Sequence, residues 1–230
     1  MPAKLLKLQA RTDYVDEVYK VLLDAISSGS LAPGTRITQE EIAEQLAVSR
    51  SPVLQALRLL KKDGLVVDAP GRGLLVTPLD PAWISHLYEI RGALDSLAAR
   101  LAAERGAKID KTLIANGRRA SKSDDVKAMI DADMAFHNAI YTASGNPLIA
   151  ETAQTHWVHL RRVMGAVLQA SGQRKSIWDE HAAIATAISE GDGQRAAELT
   201  DLHTANARKN LVERLGLVLS EQRDRESEAT

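Results

Sequence analysis

The hydrophobic period of this chain changes twice, and the two changes bound what it can fold into. Up to Gly64 the apolar residues recur at helical spacing; Leu65–Val67 and Leu74–Thr77 then read as two short strands; from Pro81 to about Leu219 nothing reads as a strand. Asp80-Pro81 marks the second change, with Asp as helix N-cap and Pro in the first turn. The pattern predicts a mostly α protein in three parts: 1–78, a helical domain over 79–220, and an almost wholly polar tail over 221–230 expected to fray.

Within the first part, a helix is expected from about Asp13 to Ser28, carrying Val15, Val18, Val21, Leu22, Ala25 and Ile26 at helical spacing. Ser28-Gly-Ser30 ends it, and Leu31-Ala-Pro-Gly34 turns the chain. Thr38 with Glu41 three positions on is a capping-box pattern opening a short helix with Ile42, Ala43 and Leu46. After Ala47-Val48-Ser49, a helix from about Ser51 carries Val53, Leu57 and Leu60. It closes on Lys61-Lys62-Asp63-Gly64, cations at the negative end of the dipole and a glycine cap. The strands that follow are joined by Asp68-Ala-Pro-Gly-Arg-Gly73 as a hairpin tip. Three helices and a hairpin make a winged helix-turn-helix.

In the second part, helices are expected near 81–105, 109–118, 124–143, 147–170, 175–190 and 193–215, with starts capped by Ser123, Asn146 and Asp192. The 230 residues, 45% hydrophobic and 26% charged, suffice for two ordinary domains. With a single Phe, the composition favours close-packed helices over a β-sandwich. The absence of Cys excludes disulfides and thiolate metal sites. The first eleven residues lack a long apolar stretch, and no run approaches the roughly 18 residues of a membrane span, so a cytoplasmic protein is expected.

Net charge is −1 overall, and residues 1–78 hold 10 Lys and Arg against 9 Asp and Glu. DNA binding therefore has to rest on where the basic residues fall. Ser49, Arg50 and Ser51 stand at the start of the second helix of the helix-turn-helix, whose N-terminal side chains reach base edges and phosphates in the major groove. Arg72 between Gly71 and Gly73 at the hairpin tip suits entry into a minor groove. Arg36, before the second helix, suits a phosphate contact. Each is also what a solvated surface charge looks like.

The second constellation uses scarce residues, for there are six His in all. Asp133 and His137 lie four apart, on one helix face with Met129, Phe136 and Ile140. His181 lies on the apolar stripe of Ile177, Ile184 and Ile188, and His203 follows Leu199 by four. Singly, each His suits a satisfied core histidine. Jointly, three imidazoles and a carboxylate on the buried sides of three helices suit a divalent ion, since buried polar groups need partners. Such a set leaves an octahedral ion two open positions that a small carboxylate effector can fill, and Arg91, Arg161, Arg162, Asn206 and Asn210 are the candidates to hold it. His156 and His159 beside Trp157 are read as pocket rim or structure, and His86 as packing. A rival reading is a metal-dependent hydrolase in which the site activates water. Against it, no separate Glu or His stands at a spacing that nominates a general base. A plain metal-storage bundle leaves the first 78 residues without a role.

The run from Gly29-Ser-Leu-Ala-Pro-Gly34 through Glu41-Ile-Ala-Glu-Gln-Leu-Ala-Val-Ser-Arg50-Ser-Pro-Val53 to Gly64-Leu-Val66, with Gly71-Arg-Gly73 after it, resembles the signature of the GntR family of bacterial regulators. Two departures stand out, Glu40 and Leu54, where many relatives carry Arg at DNA-contacting positions; the family's operator is therefore not carried over. Residues 81–215 resemble the FCD effector domain of the FadR-like branch. The markers are Arg91-Gly-Ala-Leu-Asp-Ser-Leu-Ala-Ala-Arg-Leu-Ala-Ala103, Asp133-x-x-Phe-His137 with Ser144-Gly-Asn146, Glu180-His-x-x-Ile-x-x-Ala-Ile188 with Gly191-Asp192, and His203. The resemblance implies that Asp133, His137, His181 and His203 bind a metal ion, zinc first and nickel or manganese next. It implies a homodimer on a pseudo-palindromic operator, acting as a repressor whose DNA affinity a carboxylate effector controls, and no enzyme activity.

Overall fold

The structure, a computed structural model, describes residues 14–170 and 177–228. The readings placed on residues 1–13, on the start of a helix at 175–176 and on the last two residues lie outside them. The described residues fall into two compact units, 14–26 with 31–77, and 27–30 with 78–228.

In the first unit, α1 (Tyr14–Ser28) packs through Val18, Leu22 and Ile26. Strand β1 (Arg36–Ile37) leads into α2 (Gln39–Gln45). The capping box forms as expected: the Thr38 hydroxyl accepts from the Glu41 N–H while the Glu41 carboxylate accepts from the Thr38 N–H. At the C-terminus of α2, the Val48 N–H donates to Ala43 and the Ala47 N–H to Glu44, a Schellman closure. It puts Ala47 in the left-handed region, φ 52°, the one non-glycine residue there among those described. Helix α3 (Arg50–Lys62) closes in the same way through Gly64, φ 73°, where no side chain resists the conformation. Val53, Ala56, Leu57 and Leu60 seal α3 against the core, leaving Arg50, Leu54, Arg58 and Lys61 on its exposed side.

Strands β2 (Val66–Asp68) and β3 (Leu74–Val76) form the hairpin, and β1 adds to it, giving an antiparallel sheet ordered β1-β3-β2. Two residues are too few for a period, which is why β1 escaped the sequence reading. Gly73 is required where β1 passes: a Cβ there would sit 2.8 Å from the Ile37 carbonyl oxygen, at φ 89°.

Among its described residues the second unit has helices and no strand: α4 (Pro81–Glu104), α5 (Lys111–Ala120), α6 (Val126–Ala143), α7 (Pro147–Ala170), α8 (Ile177–Glu190) and α9 (Gly193–Glu228). Asp80 caps α4 through the Ala82 N–H, with Pro81 behind it. Ala98, Ala99, Ala102 and Ala103, all but fully buried, let other helices come close to the second half of α4. Gly117 of α5 seats the Trp178 indole of α8; a Cβ there would overlap the ring at 2.0 Å.

Three expectations need correction. The helix after Ser123 is capped by Asp125, whose carboxylate accepts from the Ala128 N–H, while the Ser123 hydroxyl donates back to Ala120. The polar stretch from Glu221 does not fray at once: α9 runs on to Glu228, since residues 221–228 contain no Gly or Pro and are rich in Glu and Arg, which propagate a helix already begun. His86, expected to pack, is exposed on the solvent side of α4, on a stripe with Trp83 and Ile90. Among the described residues no helix is long and apolar enough to cross a membrane.

Candidate functional site

The exposed chemistry lies in the first unit. Arg50 occupies the first position of α3, between Ser49 and Ser51, all three exposed. Its guanidinium stands 3.3 Å from the Glu40 carboxylate, with both side chains more than half exposed, so the pair is readily exchanged for another anion. The Gln39 amide donates to the Arg50 carbonyl at 2.6 Å, tying the start of α2 to the start of α3. Arg36 is turned onto the wing: Nη1 donates to the Arg72 carbonyl at 2.5 Å and Nη2 to the Pro70 carbonyl at 2.7 Å. With the Ala69 N–H bonded to Gly73 across the tip, this fixes the loop carrying Arg72, whose side chain is exposed.

The buried chemistry lies in the second unit. His137 on α6, His181 on α8 and His203 on α9 are at most 2% exposed, and one nitrogen of each lies within 4.8 Å of the others. His181 Nε2 is 3.2 Å from His203 Nε2. Asp133 Oδ1 stands 3.5 Å from His181 Nε2 and 4.0 Å from His137 Nε2. Ligands about 2.1 Å from an ion lie roughly 3.0–3.4 Å apart, so the cluster needs only small adjustments to enclose one. His137 Nε2 is buried and makes no hydrogen bond. An unsatisfied imidazole nitrogen facing two other imidazoles and a carboxylate is what a divalent ion would use.

Around these residues is a shell the sequence reading did not single out. Asp95 on α4, 1% exposed, accepts from Arg91 Nε at 3.1 Å and from the Tyr141 hydroxyl, and its Oδ2 faces His137 Nδ1 at 3.2 Å. Burial raises the Asp95 carboxyl, but the Arg91 charge and the bonds from His137 and Tyr141 outweigh it and hold it at about 2. Glu180 of α8 faces His203 Nδ1 at 2.7 Å and accepts from the Asn206 amide at 3.3 Å. The His203 contact lowers the Glu180 carboxyl. Burial, then the neighbouring Arg91 charge, pushes His137 below its ordinary value. Burial, then His203 and His137, pushes His181 well below it. Burial thus favours the neutral form of His137 and His181, the form that ligates metal. Asp95 did leave a signal, four residues after Arg91 on the apolar face of α4, and Glu180 directly precedes His181.

Of the residues expected to clamp an effector, Arg91 sits at the centre. It is 3% exposed, its guanidinium lies 4.5 Å over the Trp157 ring, Nη1 donates to Tyr88 and Nη2 is 3.9 Å from Asp133 Oδ2. Asn206 joins through Glu180. Arg162 is buried, which lowers it to about 10. Arg161 is instead within 3.5 Å of Asp131, and Asn210 is exposed. His156 is half-buried and lowered by burial, and His159 packs its ring 4.6 Å from Trp83.

Comparison with known proteins gives both regions a context. Residues 14–76 match the family described as bacterial regulatory proteins, gntR family, and residues 86–206 match the FCD domain. An HTH-type transcriptional regulator of Streptomyces ambofaciens is 30% identical over 76% of this chain and 75% of its own. The HTH-type transcriptional regulator LutR of Bacillus subtilis is 28% identical over 79% of this chain and 93% of its own. Among solved structures, a GntR regulator from Rhodococcus superposes with TM-score 0.73 at 24% identity, covering 88% of this chain and 99% of that one. McbR/YncC of E. coli superposes with TM-score 0.72 at 21% identity, covering 92% and 100%.

Proposed function

The chain belongs to the GntR family of bacterial regulatory proteins and carries an FCD domain, and on that premise we propose that it is a metal-dependent sensor of a small carboxylate that controls transcription from a pseudo-palindromic operator. It is a transcriptional regulator and not an enzyme, as its relatives are. On this proposal it works in the cytoplasm as a homodimeric repressor, two copies of α3 entering successive major-groove faces. Arg50, with Ser49 and Ser51, contacts bases and phosphates at the start of α3, releasing Glu40 as it does so. Arg72, between Gly71 and Gly73, reaches the minor groove, and Arg36 serves DNA from behind by bracing that loop.

The observation that carries the sensor reading is the buried His137, His181 and His203 cluster with Asp133 at its edge and the Arg91 guanidinium beside it. Zinc, or nickel or manganese, would be held by those four residues. The bound ion supplies open coordination positions and positive charge for an anion. Arg91 supplies donors: with Nε on Asp95 and Nη1 on Tyr88, its Nη2 is the group left facing Asp133 and an arriving carboxylate. Arg162, buried nearby in the same domain, and Asn206, through Glu180, are the further candidates, while Arg161 on Asp131 and the exposed Asn210 would have to turn inward to join them. Linkage then requires that whatever the ligand does to DNA affinity, operator DNA does to ligand affinity.

The test is a thermal-shift screen of hydroxy acids, sugar acids and amino acids against zinc-loaded and chelator-treated protein, followed by mobility shifts on the DNA upstream of its own gene. A carboxylate that stabilises only the loaded protein and changes operator binding is the expected result. A screen in which metal makes no difference to any acid contradicts it.

A further inference from the structure

We propose that Asp95 and Glu180 are the positioning residues of this centre, each locking one imidazole in the tautomer that presents its Nε2 lone pair to the ion, while His181, whose Nδ1 meets no carboxylate, changes tautomer when the ion enters. The proposal rests on the metal reading above.

The geometry assigns the protons. A neutral imidazole carries one N–H, and a carboxylate can only accept. His137 Nδ1 faces Asp95 Oδ2 at 3.2 Å and His203 Nδ1 faces Glu180 Oε2 at 2.7 Å, so both Nδ1 atoms carry the hydrogen. Their Nε2 atoms are therefore lone pairs. Asp95 is the more rigid of the two orienters: the Tyr141 hydroxyl fixes Oδ1 while Arg91 Nε shares Oδ2 with His137, and all of it is buried. Glu180 is about one-third exposed, and its second oxygen takes the Asn206 amide.

His181 differs. Its Nδ1 is buried and makes no hydrogen bond. Its ring is stacked on Phe136 at 4.3 Å and set edge-on to Trp178 at 4.7 Å, so packing fixes its plane while nothing on the Nδ1 side holds a proton there. Its Nε2 faces His203 Nε2 at 3.2 Å, and because that atom is an acceptor, His181 Nε2 must be the donor. In the metal-free protein His181 is thus the Nε2–H tautomer and its two fellow ligands are Nδ1–H. An ion bound by all three Nε2 atoms requires the His181 hydrogen to leave Nε2 for solvent while another from solvent arrives on Nδ1. Net protonation does not change. The two held ligands keep the site in shape before the ion arrives.

The experiment uses the full chain labelled with ¹⁵N-histidine. Two-bond ¹H–¹⁵N spectra of the metal-free protein should show His137 and His203 as Nδ1–H and His181 as Nε2–H, and zinc should convert only His181. Asp95→Asn and Glu180→Gln should each weaken zinc binding by about 10–100-fold, the usual cost of losing an outer-shell partner, in protein that is still folded without metal. Should Asp95→Asn fail to fold, Glu180→Gln, at a side chain about one-third exposed, and the wild-type spectra carry the test. His137 or His203 found as the Nε2–H tautomer overturns the proposal, as does equal zinc affinity in folded variants of a wild type that binds zinc. A wild type that takes up no zinc removes the metal reading itself, and that outcome is distinct from the other two.

Discussion

The two units use charge in opposite ways. In the first, the core is apolar and the cations expected to do the work, Arg50 and Arg72, stand in solvent, where Glu40 beside Arg50 adds little to stability. In the second, Arg91, Asp95, Asp133, His137, His181 and His203 are all buried, and each depends on the others for its partner. An exposed cation can be lost with the fold intact, because only a partner molecule misses it. A buried one cannot, because its removal strands a charge where water does not reach.

Arg91→Ala is expected to show the larger effect. It would leave Asp95 and Asp133 buried without their shared cation, costing about 3–5 kcal/mol of stability in the metal-free protein, to be read by calorimetry. A loss no greater than that of a surface substitution would erase the contrast between the units. Arg50→Ala should cost about 1–3 kcal/mol of specific operator affinity at matched salt and leave the melting temperature where it was. Arg72→Ala should flatten the salt dependence of DNA binding by about one unit of slope if the wing meets a phosphate; an unmoved slope would take the tip off the DNA.

Acid should separate the units again. The folded-state values of His137 and His181 are lowered by burial, while the unfolded chain protonates its histidines near 6.5. Below that pH the unfolded state binds protons the folded state refuses, so stability is full above about 6.5 and falls as pH drops through and below it. The first 77 residues contain no histidine. Hydrogen exchange between pH 7 and 5.5 on metal-free protein should therefore show loosening confined to α6, α8 and α9, with α2 and α3 unchanged after correction for intrinsic rates. The smallest effect expected is a gain: Ala47, at φ 52°, occupies a conformation that disfavours a side chain, so Ala47→Gly should stabilise the first unit by about 0.5–1 kcal/mol in denaturant melts.

The same contrast governs what the sequence disclosed. Local rules worked wherever the determinant was local: Thr38 with Glu41, Gly64 after Asp63, Asp80 with Pro81, and Asp133 with His137 one turn apart. His181 and His203 could be placed on inward faces because their apolar neighbours recur at helical spacing. Partnerships across long separations stayed hidden. Arg36 reads as a phosphate contact until the chain folds and brings the Pro70 and Arg72 carbonyls to it. Arg91 and Asp95 show by spacing only that they can pair along α4; that α6 and α7 cover the pair with His137, Tyr141 and Trp157 emerges only on folding. β1 and the extension of α9 were missed for another reason: one is too short for periodicity, and the other is polar enough to resemble a loose tail.

The central claim, that Asp133, His137, His181 and His203 form one metal site inside a regulator's helical domain, is tested most directly by calorimetric titration of chelator-stripped protein with zinc. One ion per chain in the wild type, none bound tightly by His203→Ala, and unchanged DNA binding by that variant are the predicted results. A wild type that binds no stoichiometric ion and is not stabilised by zinc, nickel or manganese would contradict it, leaving the three histidines as ordinary core residues.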